Sequence, residues 1–193
     1  SYQELFADGA HLAVGIYEQG DQQLENESSV GMEWSLRYQN LNNSFVMTMF
    51  QQSFDDFVAL NPTGSFDDTD ESGTAGDSDE DFEIYNYQQQ KAEFRGLEIE
   101  WRRQWVAGWA TRASFDYLYG KNRTTGQPLA RVSPKRFGVG LGYRFDQLET
   151  ELEWRYVAKQ DRVAENETKT DAYSMLNWTS SYRVMTGESS ALD

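Results

Sequence analysis

The feature that most constrains this chain is a period of two that recurs over segments of about ten residues. In residues 137–145, Phe137, Val139, Leu141, Tyr143 and Phe145 alternate with Gly138, Gly140, Gly142 and Arg144. Residues spaced by two share one face of an extended chain, so the segment predicts a strand with one apolar face and one small or polar face. The pattern returns at 148–156, where Leu148, Leu152, Trp154 and Tyr156 oppose Glu149, Glu151, Glu153 and Arg155. It returns again at 30–38, with Val30, Met32, Trp34, Leu36 and Tyr38 against Gly31, Glu33, Ser35 and Arg37. Residues 97–102 set Leu97, Ile99 and Trp101 against Glu98, Glu100 and Arg102, and 109–119 set Trp109, Ala113, Phe115, Tyr117 and Tyr119 against Arg112 and Asp116. Weaker strands are expected at 44–54, where either face reads as apolar, and at 172–184, where Leu176, Trp178, Tyr182 and Val184 align. No segment carries a helical period.

The connections alternate in length. Residues 40–43, 105–108 and 146–147 are tight, whereas 55–85, 120–135 and 160–170 are long. Strands of about ten residues with short turns at one rim and long loops at the other are the pattern of a transmembrane antiparallel β-barrel. A water-soluble sandwich also satisfies the alternation, with its aromatic face turned inward. Aromatics near the strand ends (Trp101, Trp105, Trp109, Tyr117, Tyr119 and Tyr156) favour the barrel, because they match the belts such proteins place at membrane interfaces. The fold expected is therefore all-β, and no run of about 18 apolar residues provides a helical span. The chain opens at Ser1 without a basic, apolar-cored leader, so any export signal is expected to have been removed or to lie upstream.

Charge is unevenly placed. Of the formal −15, residues 1–90 carry 18 acids against the single base Arg37, and residues 91–193 carry 14 acids and 16 bases. Nucleic acid is excluded as a partner by the lack of a clustered basic stripe, and cations are the better electrostatic match. The absence of Cys removes disulfide scaffolds, zinc–thiolate sites and thiol nucleophiles. No nucleophile, base and orienting group come together around the single His, and Glu149, Glu151 and Glu153 read as polar groups on a strand face rather than a glycosidase pair, so an enzyme is not expected. Met32, Met47, Met49 and Met175 stand in apolar strand runs, which argues against reading them as a Cu(I) site.

The N-terminus reads Ser-Tyr-Gln-Glu-Leu-Phe-Ala-Asp-Gly-Ala-His-Leu-Ala-Val-Gly-Ile-Tyr-Glu, followed after Gly20-Asp21 by Leu24-Glu25-Asn26-Glu27-Ser28. These residues resemble the barrel of TonB-dependent outer-membrane receptors, in which a Glu-Leu-Phe/Tyr-x-x-Gly-x-His segment leads through Gly-Asn/Asp-x-x-Leu-x-x-Glu into a strand. Phe54-Asp55-Asp56-Phe57-Val58 looks like that family's strand exit into an external loop, and Ala92-Glu93-Phe94-Arg95-Gly96-Leu97-Glu98 like its glycine-hydrophobic-glutamate strand. Within the family the Glu-Leu-Phe-Ala-Asp-Gly-x-His-Leu-Ala wording is similar to the zinc-uptake branch often called ZnuD-like. The resemblance implies active transport of a metal ion or metal complex, zinc above all, across the bacterial outer membrane, with outer-membrane lipid and the TonB complex as partners. It leaves open a receptor for a siderophore or another nutrient, and a passive structural or adhesive barrel. It also implies that residues 1–193 are a late portion of a 22-stranded barrel, about seven to eight strands, without plug domain, early strands or last strands. Zinc enters as cargo, and no catalytic cofactor is implied.

His11 is the only histidine. A neutral imidazole suits Zn²⁺, and Asp8, three residues earlier, is expected to supply a carboxylate oxygen or to orient the ring. The bland alternative is a polar residue at a strand–loop junction. Two ligands do not hold zinc, so the rest of a tetrahedral set is expected from outside this chain. The stretch 61–84 reads as an acidic external loop, in which Asp67, Asp68, Asp70, Glu71, Asp77, Asp79, Glu80 and Asp81 attract cations loosely or serve only as a solvated surface. It lacks the spacing of a built calcium site.

Overall fold

The computed structural model describes residues 1–67, 82–165 and 167–184. After a one-turn helix, Tyr2–Phe6, come β1 (Asp8–His11), β2 (Ile16–Gln19), β3 (Ser29–Gln39), β4 (Asn43–Asp67), β5 (Phe82–Gln104), β6 (Trp109–Asn122), β7 (Arg136–Phe145), β8 (Leu148–Val157) and β9 (Tyr173–Tyr182). The seven strands read from periodicity are all present. The N-terminal helix and the β1–β2 hairpin are additions, because elements of four or five residues are too short to display a period.

The strands form one nine-stranded sheet. From β3 to β9 each strand pairs antiparallel with the next, and among the described residues β3 and β9 do not pair, so the sheet is an open arc of barrel wall. The registers bring every apolar alternation onto one face. Leu97 pairs with Tyr117, Ile99 with Phe115 and Trp101 with Ala113; Ala113 pairs with Val139 and Phe115 with Phe137; Val139 pairs with Trp154 and Leu141 with Leu152; Leu152 pairs with Trp178 and Trp154 with Leu176. The face of β4 that sequence left undecided is settled by its neighbours: Met49, Met47 and Phe45 pair with Trp34, Leu36 and Tyr38 on one side and with Leu97, Ile99 and Trp101 on the other. Val46, Thr48 and Phe50 therefore face the polar side.

That apolar face is bare. Met32, Trp34, Leu141, Leu176 and Trp178 are all exposed, Met32 at 81%. Among the described residues the buried apolar side chains are only Ala92, Leu129, Val132 and Val157. A water-soluble sheet of this size covers such a face with a second layer; a barrel wall covers it with lipid. From Trp109 to Tyr119 on β6 are ten residue steps, about 25 Å at the tilt of a transmembrane strand, which matches the apolar band of such barrels. Trp109 packs on Tyr143 at one end of that span, and Trp154 stacks on Tyr156 farther along the same face.

The opposite face is polar. Arg112 reaches Glu151 (2.8 Å) and Glu153 (3.1 Å), and Arg155 joins Glu153 (3.3 Å). These chains lie flat because β7 presents only glycines beneath them: a Cβ at Gly140 would stand 2.7 Å from Glu151 Oε1, and one at Gly138 2.7 Å from Ser114 Oγ.

The expected long loop 55–85 is largely strand. β4 runs to Asp67 and β5 begins at Phe82, so residues 61–67 and 82–84 belong to a hairpin extending well beyond the membrane band. Pro62 and Gly64 signal a break, but Pro62 still pairs with Tyr85, and a register shift between Pro62 and Phe66 absorbs Gly64 at φ 74°. Asp68, Asp70, Glu71, Asp77, Asp79, Glu80 and Asp81 lie outside the described residues, leaving Asp67 as the last residue of β4.

Gly96 gives the arc a test of its register. A Cβ there would strike the ring of Phe50, its cross-strand partner on the polar face. Gly96→Val in the full-length protein is expected to destabilise the barrel by about 1–3 kcal/mol, and Gly96→Val/Phe50→Ala to recover part of that loss. Urea unfolding from lipid vesicles measures both.

Candidate functional site

The long connections place residues 1–28 at the rim opposite the short turns, above the membrane band. The Ser1 side chain and Glu4 cap the N-terminal helix. The chain then returns so closely that a Cβ at Gly20 would lie 2.7 Å from the backbone of Leu5 and Phe6, which only glycine permits. Backbone bonds from Gly20 N–H to Ala7 O (2.7 Å) and from Asp21 N–H to Glu4 O (2.9 Å) close this loop. β1 and β2 pair antiparallel, and β2 then adds to β5 in parallel, Ile16 to Glu83 through Gln19 to Asn86, where β5 has outrun its β6 partner.

This docking builds a polar cluster centred on Glu18, a residue only 7% exposed. Its carboxylate receives His11 Nδ1 (3.0 Å), Gln3 Nε2 (2.7 Å) and the hydroxyl of Tyr87 (3.1 Å). His11 and Glu18 meet because His11 pairs with Ile16 and Gly9 with Glu18, so all four residues share one face of the ribbon. Asp8 is three residues from His11 and therefore on the other face, where it accepts the hydroxyl of Tyr17 (2.8 Å). The carboxylate beside the imidazole is thus Glu18, and Asp8 holds a tyrosine instead.

Burial works against the charge on Glu18, and the hydrogen bonds from His11, Gln3 and Tyr87 outweigh it, so its carboxyl lies below the ordinary glutamate range. Burial and then the bond to Glu18 push the Tyr87 phenol up to about 12. The bond to Asp8, reinforced by burial, does the same for Tyr17. With Nδ1 directed at Glu18, the imidazole keeps Nε2 for a ligand, the arrangement by which a carboxylate orients a metal-binding histidine. No group of three His, Asp or Glu side chains converges on one point among the described residues. His11 alone, its side chain half exposed, offers a coordinating nitrogen.

Sequence reasoning missed Glu18, Gln3 and Tyr87. Glu18 is legible once β1 and β2 are known to pair. Tyr87 stands 69 residues from Glu18, and no local signal announces that contact.

The cluster sets a pH window for the docked hairpin. A phenol whose folded value stands above its ordinary 10 stabilises the folded state fully below pH 10 and loses that contribution as pH rises towards about 12. A spin label at Ala13→Cys is expected to stay immobile up to about pH 10 and to loosen between 10 and 12. Tyr87→Phe removes one bond to a buried charge, worth about 1.5–3 kcal/mol, and should mobilise the label at neutral pH.

Comparison with known proteins gives a consistent result. Residues 1–188 match the family described as TonB dependent receptor-like, beta-barrel. Among solved structures, the copper transporter OprC aligns with a TM-score of 0.76 at 21% identity, over 96% of this chain and 27% of that one. A mutant of the ferric enterobactin receptor PfeA of Pseudomonas aeruginosa gives 0.62 at 20% identity, over 88% and 25%. The siderophore receptor PirA of Acinetobacter baumannii gives 0.59 at 17%, over 86% and 27%. The chain thus spans about a quarter of the length of these proteins, and at these identities the likeness is one of fold.

Proposed function

The chain belongs to the TonB-dependent receptor β-barrel family, and on that premise we propose that the protein it comes from is an outer-membrane transporter that takes up a metal ion or metal complex, with zinc as the cargo read by His11. The observation that carries the metal reading is the His11–Glu18 pair at the outer mouth, which aims Nε2 away from the carboxylate. The excess of acids over bases in residues 1–90 supports it, because a mouth of one sign raises the local concentration of cations. On this reading the barrel sits in outer-membrane lipid, a plug domain fills its lumen, and the TonB complex supplies the energy that remodels the plug and releases cargo inward. The remaining ligands come from parts of the protein beyond this segment. Family membership also supports the non-enzymatic reading.

A second reading rests on the solved structures, which are a copper transporter and siderophore receptors. An imidazole also suits Cu²⁺, so copper and ferric chelates are the competitors to test.

In the full-length receptor His11→Ala is expected to weaken zinc binding at least about tenfold, with heat-modifiable migration on gels unchanged. Glu18→Gln should weaken it less, and Asp8→Ala hardly at all, since Asp8 faces away from the ring. Zinc titration with Cu²⁺ and a ferric siderophore as competitors checks this. Unchanged zinc affinity in His11→Ala would withdraw zinc and leave a receptor for another cargo.

A further inference from the structure

We propose that the outward surface of β5 and β6, just above the aromatic belt, binds the phosphate groups of the outer leaflet's glycolipid. The proposal rests on reading the apolar face as lipid-facing. By register Arg95, Tyr117, Tyr119 and Lys121 belong to that outward face, since Leu97 pairs with Tyr117, Arg95 with Tyr119 and Glu93 with Lys121. Two further bases come over the same tyrosines from the loops. The Lys135 ammonium lies 5.2 Å from the centre of the Tyr117 ring, and the Arg162 guanidinium 3.9 Å from that of Tyr119. Arg162 is fixed there by donating from Nη1 to Gly120 O at 2.8 Å.

Four bases thus gather around two tyrosines in a chain whose net charge is −15. Among the described residues the carboxylate that pairs with them is Glu93, 7% exposed, which meets Arg95 Nε (2.6 Å) and stands 3.9 Å from Lys121 Nζ. Among the described residues, one paired acid against four bases leaves an excess of three positive charges. Tyrosine rings sit at headgroup level in membrane proteins, and a cation held over a ring keeps its N–H donors free for a further partner. Immediately below, Leu97, Ile99, Phe115 and Ala113 continue the apolar band, so the bases stand where phosphates replace hydrocarbon. Arg123, at the same rim, is already near Asp55 (3.9 Å) and adds nothing to the excess. A soluble anion would find the same charges, but the cluster's continuity with the apolar band favours a ligand that has acyl chains below its phosphates.

The test uses the full-length receptor purified in neutral detergent. Native mass spectrometry counts bound lipid on titration with bisphosphorylated lipid A and with lipid A freed of both phosphates. The receptor is expected to prefer the phosphorylated form at least about tenfold, each base near such a surface contributing about fivefold. Arg95→Gln/Lys121→Gln should abolish most of that preference, while Arg103→Gln, on the same face at the opposite rim, should keep it. Heat-modifiable gel migration verifies that each variant is folded, and membrane fractionation tests the outer-membrane reading separately. Equal binding of both lipids, a preference that survives the double substitution, or displacement of the lipid by millimolar inorganic phosphate would each overturn the proposal.

Discussion

Backbone hydrogen bonding is the constraint on which the rest of this structure depends. In hydrocarbon an unpaired N–H or C=O costs several kcal/mol, so a sheet that crosses a membrane must pair each strand along its length, and the pairing fixes the register. Register then fixes everything else, because a slip of one residue would move every side chain to the other face. Here the registers of β3 to β9 place Trp34, Met47, Ile99, Phe115, Val139, Leu152 and Leu176 on one surface and Glu33, Thr48, Glu98, Arg112, Glu153 and Asn177 on the other. Neither set packs a core of the usual kind. One surface is stabilised by its solvent, and the other by ion pairs over a glycine floor.

Strands whose two faces differ sharply were legible in the sequence. β7 announces itself by Gly138, Gly140 and Gly142, and β8 by Glu149, Glu151 and Glu153. β4 was not, because Phe45, Met47 and Met49 alternate with Val46, Thr48 and Phe50, and only the partners can choose between them. The outer end of the β4–β5 hairpin reads as loop in the sequence for a related reason. Pro62, Gly64 and neighbouring acids weaken a strand locally, yet the ladder with Phe82–Tyr85 holds it and places the cost in a register shift.

Less of the site could be read in advance. Residue type singles out His11, but the partner expected for it is Asp8, a spacing that shares a face on a helix and opposes faces on a strand. Glu18 and Tyr87 are joined only by the parallel addition of β2 to β5, a long-range contact that alternation does not encode. Glu93 and Arg95 still pair with Lys121 and Tyr119 of β6, just below the point where β5 runs on beyond β6 and offers β2 an edge at Glu83–Asn86. Mouth cluster and rim cluster thus lie along one long strand, one on the added ribbon and one on the wall.

The central claim is that the exposed apolar face meets hydrocarbon rather than water. Leu141, midway along β7, and Leu41, in the β3–β4 turn, are exposed at 46% and 100%. The most direct measurement is the folding free energy of the full-length receptor in lipid vesicles with Leu141→Arg and Leu41→Arg compared. The account requires a loss of about 2–4 kcal/mol for Leu141→Arg and almost none for Leu41→Arg. Two equally small effects would mean that the face is wet, and the barrel reading would fall.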